Sequence, residues 1–145
     1  MSVQFEHGVY LDQSPERVFA LLDDVEKTPS WLKSCTGMKK LTEGDNQVGT
    51  KLKYSYKEGS KTGEMAGRIT VRAPNERFAI VFTDKTRDLT WDYRISNTGA
   101  GSHVVHTISI TPKTFMSKIF GPGQGNVQEQ TITAMNSLRS FLARE

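Results

Sequence analysis

The sequence is poor in the features that staple a small protein or anchor it in a membrane. It holds one cysteine, Cys35, in 145 residues, so no intramolecular disulfide can form and no cysteine-rich zinc site can be assembled. That pattern leads us to expect a reducing compartment. Apolar runs are only a few residues long, far short of the roughly 20 that a spanning helix needs. The opening Met1-Ser2-Val3-Gln4-Phe5-Glu6 also lacks the basic-then-apolar layout of a secretory signal. A cytoplasmic location without stable membrane insertion is therefore expected. Internal repeats, low-complexity tracts and linkers are absent as well, so one domain over residues 1–145 is expected, and folding a chain of this size buries about two-thirds of its unfolded surface.

What is present is an ordinary globular balance, 36% hydrophobic and 24% charged. The net charge of +3 is unevenly spread, and residues 51–100 carry ten basic side chains against six acidic ones. Within that stretch Lys51, Lys53 and Lys57 mostly alternate with Leu52, Tyr54 and Tyr56, as on one solvated strand face. Without a nucleic-acid motif beside it, the charge does not read as a nucleic-acid groove.

Val3, Phe5, Val9 and Leu11 alternate with polar residues, which predicts a half-buried strand over residues 2–11 with His7 on its apolar side. Ser14-Pro15-Glu16 supplies an N-cap, a first-turn proline and an acid at the positive end of a short helix. A second short helical piece follows from Asp23 and is interrupted at Pro29. From Gly37 to Pro112, turn signals separate segments of period two: Leu52/Tyr54/Tyr56, Met65/Gly67/Ile69/Val71, Phe78/Ile80/Phe82, Leu89/Trp91/Tyr93/Ile95 and Val104/His106/Ile108/Ile110. They predict a meander of about six antiparallel strands. The last segment changes to helical spacing at Val127, Thr131, Ala134, Met135, Leu138, Phe141 and Leu142, with Asn126 and Glu129 as a capping box. The class is α+β, and a curved antiparallel sheet of about seven strands with a long C-terminal helix on its concave face buries every apolar stripe.

The stretch from Leu11-Asp12-Gln13-Ser14-Pro15-Glu16 through Asp24, followed by Pro29-Ser30-Trp31-Leu32, resembles the opening of START-like proteins of the birch-pollen-allergen type, the SRPBCC superfamily. Val48-Gly49-Thr50, Trp91-Asp92-Tyr93-Arg94-Ile95, Gly101-Ser102-His103-Val104 and the final helix continue the pattern along the chain. Within the superfamily it is most similar to the polyketide cyclase/dehydrase group. The run from Asp24 to Gly37 also resembles the coenzyme-Q-binding branch, although Thr28 stands where that branch usually has an aromatic residue. The resemblance implies a helix-grip fold, with first and last strands as antiparallel neighbours and a cavity for hydrophobic small molecules between sheet and helix.

His7 and His106 would then lie close together, either as a hydrogen-bonding or proton-transfer pair or as histidines satisfied within a core. Tyr54, Tyr56, Trp91 and Tyr93 fall on inward phases and suit an aromatic pocket or plain core packing. Met65 and Met135 add adaptable lining, and Thr131 on the inner stripe of the helix completes the candidate site. His103 points away from His106 on a strand, so the two cannot share a metal, and neither a metal nor a cofactor is expected. Cys35 has no sequence-local activating partner. Gly121-Pro122-Gly123-Gln124-Gly125-Asn126 reads as a turn at the cavity mouth, and Phe115, Met116, Ile119 and Phe120 as an apolar cluster that gates the cavity, meets a membrane or partner, or packs on the sheet edge.

Three functions are compatible with this reading. The first is a monomer or weak homodimer that binds or transports a lipid-like or polyketide-like molecule. The second is a cyclase/dehydrase-type enzyme using pocket His and Tyr side chains, and the third is a protein-interaction module with a residual cavity.

Overall fold

A computed structural model describes residues 2–120 and 124–145. Strand β1 (Val3–Leu11) leads into helix α1 (Pro15–Asp23) and a 3-10 turn (Val25–Ser30). Six strands follow: β2 (Cys35–Lys40), β3 (Lys51–Glu58), β4 (Lys61–Ala73), β5 (Arg77–Thr83), β6 (Arg87–Asn97) and β7 (Ser102–Pro112). Helices α2 (Phe115–Phe120) and α3 (Gln124–Arg144) close the chain. The strands make one antiparallel sheet in the order β1-β7-β6-β5-β4-β3-β2. The α+β helix-grip arrangement expected from the sequence is thus found, with β1 beside β7 and His7 directly opposite His106. Among the described residues no helix is long and apolar enough to cross a membrane.

Local chemistry explains the corners. The Ser14 hydroxyl accepts the Arg17 N–H at 3.2 Å, with Pro15 in the first turn of α1, which satisfies one of the donors a helix start leaves open. At Gly101 a Cβ would overlap the Leu11 carbonyl oxygen, so the β6–β7 turn can close against the end of β1 only without a side chain. Gly67 serves the interior in the same way. The Phe82 ring lies across it, 2.6 Å from where a Cβ would stand.

Two expectations need correction. The capping box at Asn126 and Glu129 does not exist, because α3 starts at Gln124. The cost of about 1 kcal/mol for one helical glycine does not prevent Gly125 from joining a helix held by tertiary packing. The inward phase of β4 does not run through to Val71, because a bulge between Ile69 and Val71 shifts the register and places Arg72 opposite Phe78. Lys51, Lys53 and Lys57 are exposed, as the alternation predicts, and Lys57 also stands at the rim of the cavity described below. The turn proposed at Gly121-Pro122-Gly123, and the side chains of Ile119 and Phe120, lie outside the described residues.

The bulge joins sheet to helix. Arg72 donates from Nε and Nη2 to the two Asp23 carboxylate oxygens at 2.9 and 2.8 Å, and its guanidinium lies over the Phe19 ring. Burial pushes the Asp23 carboxyl up, but the bonds from Arg72 and Asn46 outweigh that and hold it below the usual carboxylate range. A depressed carboxyl stabilises the fold above its unfolded pKa, and the contribution is lost as pH falls through the folded value. Asp23→Asn should therefore lower unfolding stability at neutral pH by about 2 kcal/mol, the scale of charge-assisted hydrogen bonds. Denaturant melts should show that loss shrinking below about pH 4. A loss unchanged at low pH would contradict the ion-pair account.

Candidate functional site

Helix α3 lies along β1 and, less closely, β7, and buries Val127, Met135, Leu138 and Leu142 in the core. Its C-terminal end is pinned to the first corner of the chain. The Gln13 amide donates to the Leu142 carbonyl at 3.2 Å, the Ser102 hydroxyl donates to the Gln13 carbonyl at 2.6 Å, and Arg17 pairs with Glu145 at 2.6 Å. A cavity of about 770 Å³ remains between the other flank of α3 and the sheet, within the size range of small-molecule sites.

The sheet side of this cavity is aromatic and aliphatic: Tyr54 from β3, Leu89, Trp91 and Tyr93 from β6, Ile108 and Ile110 from β7. Tyr54, Phe82 and Trp91 pack edge-on and tilted, with ring centroids 4.7 to 5.0 Å apart. This fixes the floor. The helix side is polar, because Asn126, Gln130, Thr133 and Ser137 recur at helical spacing and face the same space. Toward the β3–β4 hairpin the wall ends in charged groups, and there the Gln130 amide donates to Glu58 Oε2 at 3.2 Å across the opening.

His106 forms part of the floor. Its ring stacks on Tyr93 with centroids 4.0 Å apart and planes 3° from parallel, and its Nδ1 lies 3.0 Å from the Asp92 carbonyl oxygen. A carbonyl can only accept, so Nδ1 carries the proton and Nε2 is left as an acceptor. Burial drives the His106 pKa down to about 4 against the opposing pull of Asp92, so the ring is neutral at physiological pH. Burial also raises the Tyr93 and Tyr54 hydroxyls, which stay protonated. Among the described residues, His106 Nε2, the Tyr93 hydroxyl and Trp91 Nε1 make no hydrogen bond, although their residues are 1%, 2% and 5% exposed. They line the cavity, where an occupant could satisfy them.

Of the candidate residues, Tyr54, Trp91, Tyr93 and His106 come together on the cavity wall. The other five stand elsewhere. His7 is half-buried across from His106 in the strand register but does not reach the wall. Tyr56 lies over Gly63 and beneath the Arg87 guanidinium, and Met65 is buried opposite Tyr54. Thr131 gives its hydroxyl to the Val127 carbonyl at 2.6 Å, and Met135 is fully enclosed on the core stripe of α3. His103 stacks on Tyr10 on the opposite face of the sheet. Cys35 is buried, and burial pushes its thiol up to about 11, which suppresses the reactive thiolate. Among the described residues no group of three or more His, Cys, Asp or Glu side chains is placed to hold a metal ion.

Sequence reasoning missed the polar flank of α3 and the rim residues Glu58 and Arg87. The signal for the flank was present: Asn126, Gln130, Thr133 and Ser137 are uncharged polar residues at helical spacing, where a freely solvated face usually carries charge.

The sequence profile of a family described as "Polyketide cyclase / dehydrase and lipid transport" matches residues 2–144. Among solved structures, the chain is similar to Ara h 8.0201, at 13% identity over 100% of both chains with a TM-score of 0.72. It is similar to the Zhui aromatase/cyclase from Streptomyces sp. R1128, at 13% identity over 99% of this chain and 95% of that one, TM-score 0.78. A START superfamily protein from Mycobacterium smegmatis aligns at 15% identity over 96% and 98%, TM-score 0.74. At these identities the likeness is one of fold. No curated protein sequence matches.

The depressed His106 pKa has a measurable sign. Between about 4 and 6.5 the unfolded chain takes up a proton that the folded chain refuses, so stability falls as pH falls through that window. The full contribution is of the order of 3 kcal/mol. Denaturant melts of wild type and His106→Phe at pH values across the window should show a shallower loss in the variant. Identical slopes would mean that the ring titrates normally.

Proposed function

Because the chain belongs to the polyketide cyclase/dehydrase and lipid transport family, we propose that it binds a hydrophobic small molecule in the cavity between the sheet and α3. The observation that carries this reading is the coexistence of an aromatic floor with three polar tips that face the cavity and, among the described residues, have no protein partner. Covering such a tip without pairing it costs about 1–3 kcal/mol, so an occupant of this space needs a hydroxyl or carbonyl group to meet them. His106 Nε2 calls for a donor, Trp91 Nε1 for an acceptor, and the Tyr93 hydroxyl serves either. The ligand is thus mostly apolar with one or two oxygen functions set against β6 and β7. Tyr54, Trp91, Tyr93 and His106 are its contact residues.

Holding is favoured over catalysis. A histidine with a pKa of about 4 is a weak base at neutral pH, and a buried tyrosine with a raised pKa gives up its proton reluctantly. The Zhui protein is named as an aromatase/cyclase, but the histidine and tyrosines on this cavity's wall are held away from proton exchange near pH 7. An interaction module with a filled core would have no use for a space of about 770 Å³.

Native mass spectrometry of the purified protein, followed by denaturing extraction, tests the reading. Ala134 is buried against the cavity, so Ala134→Phe places a phenyl ring inside it. Wild type should carry a stoichiometric apolar adduct, or take one up from added 2-naphthol, and Ala134→Phe should hold it more weakly. A wild-type protein that stays empty after such exposure would shift the weight to the interaction module.

A further inference from the structure

The rim of the cavity is electrically lopsided. Lys33, Lys57, Lys61 and Arg87 line it against only two acids, Glu58 and Glu129. Among the described residues the three lysines have no ion pair. Arg87 sits deeper, with its side chain 14% exposed, and its guanidinium is held 5.4 Å from the Tyr56 ring centroid. Its only side-chain hydrogen bond among the described residues is to Glu58 Oε1, at 3.5 Å. Guanidinium offers five N–H donors in a planar fork that fits a carboxylate in bidentate fashion, and here most of that fork is unused beside an apolar cavity.

We propose that Arg87 is a carboxylate-binding subsite at the cavity mouth, and that the ligand is an amphipathic monocarboxylate whose apolar body lies on the aromatic floor. This deepens the binding function proposed above and rests on it. Glu58 is the internal stand-in for the ligand's head group. Its bond to Arg87 is at the limit of hydrogen-bond length, and it is shared with Gln130 of α3, so an incoming carboxylate can take over the guanidinium while Glu58 keeps its tie to the helix. The single fork suits a monoanion. Glu58 and Glu129 nearby oppose the second charge of a phosphate monoester. Lys57 and Lys61 add attraction at longer range, weakened by salt.

Isothermal titration of the full chain with 2-naphthoic acid, 2-naphthamide and 2-naphthyl phosphate at neutral pH separates the possibilities. The acid should bind about tenfold more tightly than the amide, the difference a well-formed charge-assisted pair supplies. Arg87→Met should bring acid and amide together by weakening the acid alone, and Arg87→Lys should restore only part of the preference, since it keeps the charge and loses the fork. Glu58→Gln should strengthen the acid severalfold. Equal wild-type affinities for acid and amide would overturn the carboxylate subsite while leaving a hydrophobic cavity in place, as would tighter binding of the phosphate. Failure of all three compounds to bind would remove the underlying binding function as well. The wild-type comparison of acid with amide needs no variant, so the test stands even where Arg87→Met does not fold.

Discussion

The structure turns on how α3 is divided. One narrow stripe of the helix is apolar and fits the β1 and β7 end of the sheet, and the neighbouring flank is polar. Pressing that flank onto the aromatic rows of β3 and β6 would bury Asn126, Gln130, Thr133 and Ser137 against groups that cannot hydrogen-bond to them, at a cost of about 1–3 kcal/mol for each unpaired group. The helix therefore stays docked on one side and the rest of the sheet's inner face is left uncovered. The remaining features follow from that standoff. The C-terminal end of α3 is tied to the α1 corner by Gln13, Arg17 and Lys27, whereas its N-terminal half meets the sheet across the mouth through Gln130 and Glu58.

The floor under that space is rigid and electrically quiet. Gly67 makes room for the Phe82 ring, which with Tyr54 and Trp91 forms a packed aromatic set. His106 is locked against the Asp92 carbonyl and the Tyr93 ring. A ring held in one tautomer and kept neutral by burial acts as a fixed acceptor, which orients a bound molecule without exchanging protons with it. Charge is confined to the rim, where solvent reaches it. An apolar interior with a few placed polar atoms and a net basic entrance matches the proposed ligand, apolar body inward and head group at the mouth.

Much of this was legible in the sequence. Period-two alternation marked the inward residues of β3, β6 and β7, and the resemblance to the START-like superfamily placed β1 beside β7, so Tyr54, Trp91, Tyr93 and His106 could be named before any coordinates. Alternation cannot tell which inward positions meet a helix and which meet open space. Thr131 and Met135 lie on the core stripe of α3, Tyr56 is covered by the Arg87 guanidinium and Met65 is buried opposite Tyr54, so all four are inward without reaching the wall. The bulge after Ile69 adds a residue that no turn signal announces, and it turns Arg72 toward α1. Arg87 begins β6 next to a turn, where strand phase says least about direction. The polar flank of α3 was legible in principle, but Asn126, Gln130, Thr133 and Ser137 at helical spacing also suit a solvated helix face, and spacing alone does not separate the two.

The most direct test of the central claim, that the space beside α3 admits a small molecule, uses the chain's own fluorophores. Trp91 forms the cavity floor, and Trp31, the other tryptophan, is buried after the 3-10 turn and is not part of the cavity wall, although Leu32 beside it is. In a Trp31→Phe variant, titration with 2-naphthol should change the Trp91 emission saturably, with an end point at one molecule per chain, and Ala134→Phe introduced into the same background should move the midpoint to higher 2-naphthol concentration. Emission that does not respond, or that responds identically with the phenyl ring in the cavity, would contradict the account.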